Sequence, residues 1–95
     1  MIAVVATINV KEGKEAEFEA VMKGLAEKVR SSEPETLHYQ VCKAKDAPTY
    51  VVLENYTDQA ALGHHSGTSY FKEAMPKMGA CMAGAPKIEI FEVIS

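Results

Sequence analysis

The chain has 95 residues, of which 47% are apolar, and a chain of this size suits one small domain and excludes a second. Ten Lys and Arg residues against thirteen Asp and Glu residues give a formal net charge of -3, and the basic residues are scattered, which excludes the positive surface that nucleic-acid binding requires. No apolar stretch approaches the roughly 20 residues that cross a bilayer, and the start "MIAVV" lacks the basic residues of a signal peptide, so we expect one cytoplasmic domain over residues 1–95 with no membrane partner.

The first third of the chain predicts a strand followed by an amphipathic helix. Residues 2–10, "IAVVATINV", form a nearly continuous β-branched apolar run, which is typical of a strand covered on both faces. Between residues 15 and 32 the apolar side chains recur at helical spacing, with charged residues on the opposite side. Pro34 prevents further helix, so this helix should pack one face on the sheet.

Three more runs predict strands. Residues 37–44, "LHYQVCKA", and 49–57, "TYVVLENYT", are separated by "KDAP", a turn rich in residues that break regular structure. They should therefore pair as an antiparallel hairpin. Residues 87–95, "KIEIFEVIS", predict the last strand of the chain.

A broken helical segment separates the hairpin from the last strand. Asp58 is suited to cap a short helix that runs to about His64. A second helical piece follows Gly67, and Pro76 should kink or shorten it. We expect a loop over residues 79–86, which are rich in Gly, Ala and Met.

The order of elements is βαββαβ, which predicts an α+β, ferredoxin-like fold with a four-stranded antiparallel sheet and helices on one face. Strands 1 and 3 are apolar on both faces. The face without helices would then be an apolar patch too large for a monomer, so we expect a homodimer that packs two sheets through this open face.

Two adjacent histidines in the stretch "LGHHSGTSYF" form a candidate catalytic or metal site. His64 and His65 point about 100° apart on a helix and have no ligand-type residue at the right spacing, so we predict no metal site. The same stretch lacks a nucleophile elbow, and no standard cofactor motif is present. General base chemistry remains, with one histidine at the mouth of an apolar cleft. The alternative is that one histidine is a loop residue and the other packs a helix end.

Two separated stretches resemble the antibiotic biosynthesis monooxygenase (ABM) family. The first, residues 5–41, contains "EPETLHY" where the family has "EPG-x-L-x-Y". The second, "LENYTDQAALGHHSGTSYF", is similar to the family pattern "E-x-W/Y-x-D/S-x-x-A-L-x-x-H-x-x-S/T-x-x-F". The residues on its positions are Glu54, Tyr56, Asp58, Ala61, Leu62, His65, Thr68 and Phe71. Glu35 stands where the family usually has Gly, and Tyr56 stands where it often has Trp.

This resemblance implies a dimeric α+β barrel that uses O2 to oxygenate a small phenol or quinol without metal, flavin or haem. By position, His65 is the expected base, and an amide or phenol group should hold the oxyanion that forms. The expected oxyanion partners are Asn55, Tyr50, Tyr56 and Tyr70, and Phe71, Met75 and His38 complete the expected substrate-binding set. Strand parity decides which tyrosines face the pocket, and the sequence leaves that open.

Two alternatives stay open from the sequence. Proteins of this fold also bind ligands or process signalling molecules without oxygenase activity, because a fold alone does not decide function. Haem-degrading members of the superfamily use a Trp and a haem-ligating His on the second helix. This chain has no Trp and no His between Thr68 and Met78, so haem degradation ranks last.

Overall fold

The computed structural model describes all 95 residues, and it confirms the α+β βαββαβ order with the second helical segment divided in two. The elements are β1 (Ile2–Asn9), α1 (Glu15–Ser32), β2 (Thr36–Lys43), β3 (Thr49–Tyr56), α2 (Gln59–Ser66), α3 (Ser69–Cys81) and β4 (Lys87–Glu92). The four strands form one antiparallel sheet in the order β2-β3-β1-β4. All three helices lie on one face of this sheet, as the order of the elements predicts.

The helix α1 has the bounds that its sequence pattern predicts. Gly13 adopts a φ of 88°, a left-handed turn conformation that glycine reaches without strain, and the helix begins two residues later. Its buried face consists of Phe18, Met22, Leu25, Ala26 and Val29. These side chains fill the space against the sheet and supply five of the fourteen buried residues of the main core.

Strand parity places alternate residues on opposite faces of the sheet. In β1 and β3 all of the buried residues are even-numbered, and the even-numbered side chains face the helices. In β2 the pairing of Tyr39 with Glu54 puts odd-numbered Tyr39 on that same face, after an irregularity between Thr36 and His38. The odd-numbered residues of β1 and β3 lie on the open face.

The expectation that Pro76 shortens the last helix is wrong. The helix α3 continues through Pro76 to Cys81, and Pro76 lies on its exposed side. Only one backbone hydrogen bond is lost there, and water can satisfy the carbonyl that it leaves free. The predicted loop over residues 79–86 is therefore confined to the residues after Cys81, and β4 ends at Glu92 rather than at the chain terminus.

The two short helices are joined at a tight corner. The Asp58 side chain accepts a hydrogen bond from Ala61 N and caps α2, as predicted, and Gly67 ends that helix. Thr68 then caps α3 by accepting from Phe71 N. This corner brings the ends of α2 and α3 together over the helix-facing side of the sheet. None of the three helices is both long enough and apolar enough to cross a membrane.

Candidate functional site

A cavity of about 320 Å³ lies between the helix-facing side of the sheet and the helices α2 and α3. This volume is within the range of pockets that take small molecules. The apolar wall includes Val4, Ala6, Val52, Leu62, Phe71, Met75 and Met78, and the polar groups in it are Tyr39, Glu54, His65 and Ser66. A ligand here would contact mainly hydrocarbon and would meet only a few polar atoms.

His65 lines this cavity, and behind the lining it contacts the buried carboxylate of Glu33. His65 is 3% exposed, and its Nδ1 lies 3.1 Å from each carboxylate oxygen of Glu33. Glu33 follows the end of α1, where Pro34 turns the chain, whereas His65 belongs to the last turn of α2. The fold thus joins residues that are 32 positions apart in sequence.

The Glu33 carboxylate is held in its ionised form. Thr36 donates its hydroxyl to Oε1 at 2.7 Å, and Tyr70 donates its hydroxyl to Oε2. Burial raises the pKa of Glu33, but the hydrogen bonds from Tyr70, Thr36 and His65 outweigh it and lower the pKa below its ordinary value. The group at Nδ1 of His65 is therefore an anion that only accepts hydrogen bonds.

This arrangement determines the proton position on the His65 ring. Because Glu33 accepts, Nδ1 carries the hydrogen, and the neutral ring keeps its lone pair on Nε2. Nε2 makes no hydrogen bond to the protein, and every fully occluded side-chain nitrogen or oxygen does have a partner, so Nε2 is open to the cavity that His65 lines. The ring centroids of Tyr39, Tyr56 and Phe71 lie 5.3, 5.7 and 4.8 Å from that of His65 and hold it in place.

A second carboxyl group of the site, Glu54, lines the cavity directly. It is 8% exposed, and its Oε1 accepts the hydroxyl hydrogen of Tyr56. Burial raises the pKa of Glu54 to about 7, the hydrogen bond from Tyr56 opposes this rise, and the negative charge of Glu33 adds to it. Near neutral pH, Glu54 is thus divided between its acid and carboxylate forms.

Tyr39 is a buried residue whose hydroxyl has no partner in the protein and is not fully occluded. Tyr39 is 6% exposed and lies beside Glu54 on the neighbouring strand. Burial raises its pKa, and the negative charges of Glu54 and Glu33 raise it further, so the phenol stays protonated. It is available as a hydrogen-bond donor.

The matches to known proteins decide the family. The model of the family described as antibiotic biosynthesis monooxygenase matches residues 1–77. The chain belongs to the antibiotic biosynthesis monooxygenase family. The matched residues include Glu33, Glu54 and His65, so the buried polar groups of the cavity lie within the ABM part of the chain.

Relatives of known structure or name support the same assignment. The chain is 31% identical to "Putative monooxygenase YcnE" of Bacillus subtilis over 86 residues, which are 90% of each chain. It matches the crystal structure of "a putative antibiotic biosynthesis monooxygenase" from Caulobacter crescentus with a TM-score of 0.96 at 48% identity, over 99% of this chain and 90% of that one. A conserved protein from Methanosarcina mazei gives a TM-score of 0.88 at 31% identity, over 95% of this chain and 89% of that one. The fold and a monooxygenase-like role follow from these matches.

The structure brings together some of the ABM site residues expected from the sequence. His65, Phe71 and Met75 line the cavity, and His65 lies within its wall rather than at its mouth. Tyr56 and Tyr70 do not line it, but they support it, because their hydroxyls donate to Glu54 and Glu33. His64, next to His65 in sequence, is exposed.

Three expected residues lie elsewhere. Asn55 and His38 pair with each other across β3 and β2 on the open face of the sheet, so their side chains point away from His65. Tyr50 faces the helices, but it packs on Phe18 and donates its hydroxyl to Glu19, outside the cavity lining. The expectation that these three contribute to the same pocket as His65 needs correction, because strand parity and strand position separate them from it.

Glu33, Glu54 and Tyr39 are the site residues that the sequence did not identify as functional. Glu54 stands in a row of alternate residues, Tyr50, Val52, Glu54 and Tyr56, of which it is the only charged member. A charged residue in a buried row is a recognisable signal of a polar site. Glu33 gives no comparable signal, because its partner is far away in sequence. No group of three or more His, Cys, Asp or Glu side chains is arranged to hold a metal ion.

Proposed function

We propose that this chain is a monooxygenase that oxygenates a small phenol or quinol with O2 and without a bound cofactor. The observation that carries the proposal is the contact of Glu33 with His65, which lines a mostly apolar cavity with its Nε2 open to a ligand. The family and the names of its relatives support the monooxygenase-like role.

The first step would be removal of a proton from the substrate hydroxyl. Nε2 of His65 takes the proton, and the positive charge that forms on the ring is stabilised by the Glu33 carboxylate at 3.1 Å. The hydroxyl of Tyr39 is available to donate to the phenolate oxygen. A phenol is a suitable acid for this base, since its pKa of about 10 is that of tyrosine.

The second step would be reaction of the electron-rich anion with O2. The anion gives one electron to O2, the two radicals combine to form a C–O bond, and the resulting peroxide takes a proton. Loss of water then converts a hydroquinone into a hydroxyquinone. The substrate supplies all four electrons that O2 accepts, so no external reductant is required. The mostly apolar wall would limit the water that reaches the radical pair.

The test is O2 consumption with a naphthohydroquinone as the probe, after subtraction of the rate without protein. We expect saturable uptake of one O2 for each hydroxyquinone formed. His65→Gln should lower kcat/KM by about 100-fold or more, as expected when a general base is lost. His64→Gln is the matched control, because His64 is the exposed neighbour on the same helix, and it should retain the wild-type rate.

Three outcomes would contradict this proposal. Saturable binding of the naphthohydroquinone without O2 uptake would show that the chain is a ligand-binding protein. Equal losses in the two histidine variants would remove the assigned role of His65. Inhibition of O2 uptake by a chelator such as EDTA would show that a metal ion takes part.

We also propose that the chain acts as a homodimer joined through the open face of the sheet. Val5, Leu53 and Val51 lie side by side on that face, and Phe91 extends the patch on β4. These side chains are only half-buried or exposed. A second copy offers a patch of the same shape and chemistry, which is what a two-fold interface requires.

A further inference from the structure

The carboxyl group of Glu54 does more than satisfy the buried hydroxyl of Tyr56, which needs only one acceptor oxygen. It stands between Val52 and Tyr56 in the buried row of β3, and only one of its oxygens is hydrogen-bonded to the protein. The other oxygen, Oε2, has no protein partner and is not fully occluded, so it is open to the cavity that Glu54 lines. Burying an acid in this way is costly, and such groups are concentrated at sites of chemistry.

The two carboxyl groups of the site differ in their surroundings. Glu33 accepts hydrogen bonds from Thr36, Tyr70 and His65, which keep it ionised. Glu54 accepts from Tyr56 alone and lies close enough to the negative charge of Glu33 to be affected by it. Two acids in different surroundings take different protonation states, and this is how a site separates an acid from a base.

The groups that face Glu54 come from each element packed around it. Tyr56 is on its own strand, Tyr39 is on β2, His65 is on α2 and Glu33 follows α1. No Lys or Arg lines the cavity. The charge balance around Glu54 therefore favours its neutral acid form whenever Glu33 is ionised.

We propose that Glu54 is the proton donor to the oxygen that leaves when the O–O bond of the peroxide breaks, a role separate from that of His65. This inference rests on the proposed oxygenase function. His65, having returned its first proton to the peroxide, takes the C–H proton from the carbon that carries the hydroperoxide. The C–H electron pair becomes the second bond of the new carbonyl, and the O–O pair leaves with the distal oxygen.

Every proton, electron and oxygen atom of this step is accounted for within the site. The distal oxygen leaves as hydroxide and receives the Glu54 proton, which gives water. The imidazolium of His65 then returns its proton to the Glu54 carboxylate, directly or through that water. The substrate loses four electrons in total, O2 gains four, and one oxygen atom is in the product and the other in water.

The test separates O2 consumption from O–O cleavage in the Glu54→Gln variant. Gln has the same size and keeps an oxygen that accepts from Tyr56. With the naphthohydroquinone probe we expect the variant to consume O2 but to release at least 10-fold more peroxide for each hydroxyquinone than the wild type. Glu73→Gln, an exposed change on α3, is the control and should keep the wild-type ratio.

The pH profile provides a readout that a merely structural role would not change. In the wild type, hydroxyquinone yield per O2 should fall as the pH rises through about 7 and Glu54 loses its proton. This fall should be absent in Glu54→Gln. In Tyr56→Phe it should move to higher pH, because the lost hydrogen bond had lowered the pKa of Glu54. If Glu54→Gln does not fold, the pH profile of Tyr56→Phe still tests the role of Glu54.

The possible failures are distinguishable. If the wild type consumes O2 and both the peroxide ratio and the pH profile are unchanged in the Glu54 and Tyr56 variants, the role of Glu54 is overturned while the oxygenase function stands. If the wild type consumes no O2 with the probe, the oxygenase function fails, and this role fails with it.

Discussion

The protonation states of single residues are the basis of the candidate site. Glu54 lines the cavity and Glu33 contacts the cavity residue His65, yet the pKa of Glu33 is lowered and that of Glu54 is raised. A carboxyl group with a lowered pKa stabilises the fold above its unfolded pKa, and this contribution is lost as the pH falls. A carboxyl group with a raised pKa stabilises the fold below its unfolded pKa, and this contribution is lost as the pH rises through the folded pKa.

The difference between the folded and unfolded pKa values of Glu54 predicts how the effect of Glu54→Gln on stability changes with pH. The folded pKa of Glu54 is about 7 and its unfolded value is 4.5. Between these limits only the folded state keeps the proton, so the wild type loses this stabilisation progressively as the pH rises from 4.5 to about 7. The free energy of unfolding of the variant relative to the wild type should therefore increase by roughly 2 to 3 kcal/mol between about pH 5 and pH 8. Urea titrations across this range measure it. A constant difference at all pH values would show that Glu54 titrates normally.

The corner between α2 and α3 determines the position of two cavity residues. Thr68 donates its hydroxyl to the His65 carbonyl at 2.9 Å and accepts from Phe71 N at 3.3 Å. One side chain thus joins the last turn of α2 to the first turn of α3. His65 and Phe71, whose rings are 4.8 Å apart, are placed by the same cap.

Thr68→Val keeps the shape of the side chain but removes both hydrogen bonds. We expect a loss of about 1 kcal/mol in the free energy of unfolding, as is usual for a lost N-cap, and a several-fold lower rate of O2 uptake because the His65 ring shifts. Ser69→Ala is the control, since Ser69 is exposed in the same turn and its side chain makes no hydrogen bond in the protein. Equal stability of the two variants in urea would refute the capping role of Thr68.

The elements of this fold were more predictable from sequence than the assembly of its site. The bounds of α1 are predictable because a glycine turn precedes it and Pro34 follows it. The parity of β3 is not, since Val51 and Val52 look alike, and this is why Asn55 was expected in the pocket and Glu54 was not. His65 was recognisable because it stands at the histidine position of the ABM family pattern. Its partner Glu33 was not, because the contact depends on how α1 and α2 pack in three dimensions.

At the scale of the whole molecule, the helices cover one face of the sheet and leave the other face open. The helices bury the even-numbered residues of β1 and β3, whereas the odd-numbered residues of the same strands stay half-buried or exposed. Val5 and Leu53 pair directly across the two central strands of the open face. The proposed dimer would remove this apolar surface from water, and the hydrophobic effect would supply its main driving force.

A charge placed at the centre of the open face tests this assembly. Leu53→Lys would put an ammonium group against the apolar face of the partner, and burying an unpaired charge costs enough to weaken association by at least about 100-fold. We expect the wild type to sediment as a dimer at micromolar concentration and the variant as a monomer with an unchanged far-ultraviolet circular dichroism spectrum. Ala16→Lys, which adds the same charge on the exposed side of α1, should remain a dimer. A monomeric wild type, or a Leu53 variant that still dimerises, would mean that the open face is not the interface.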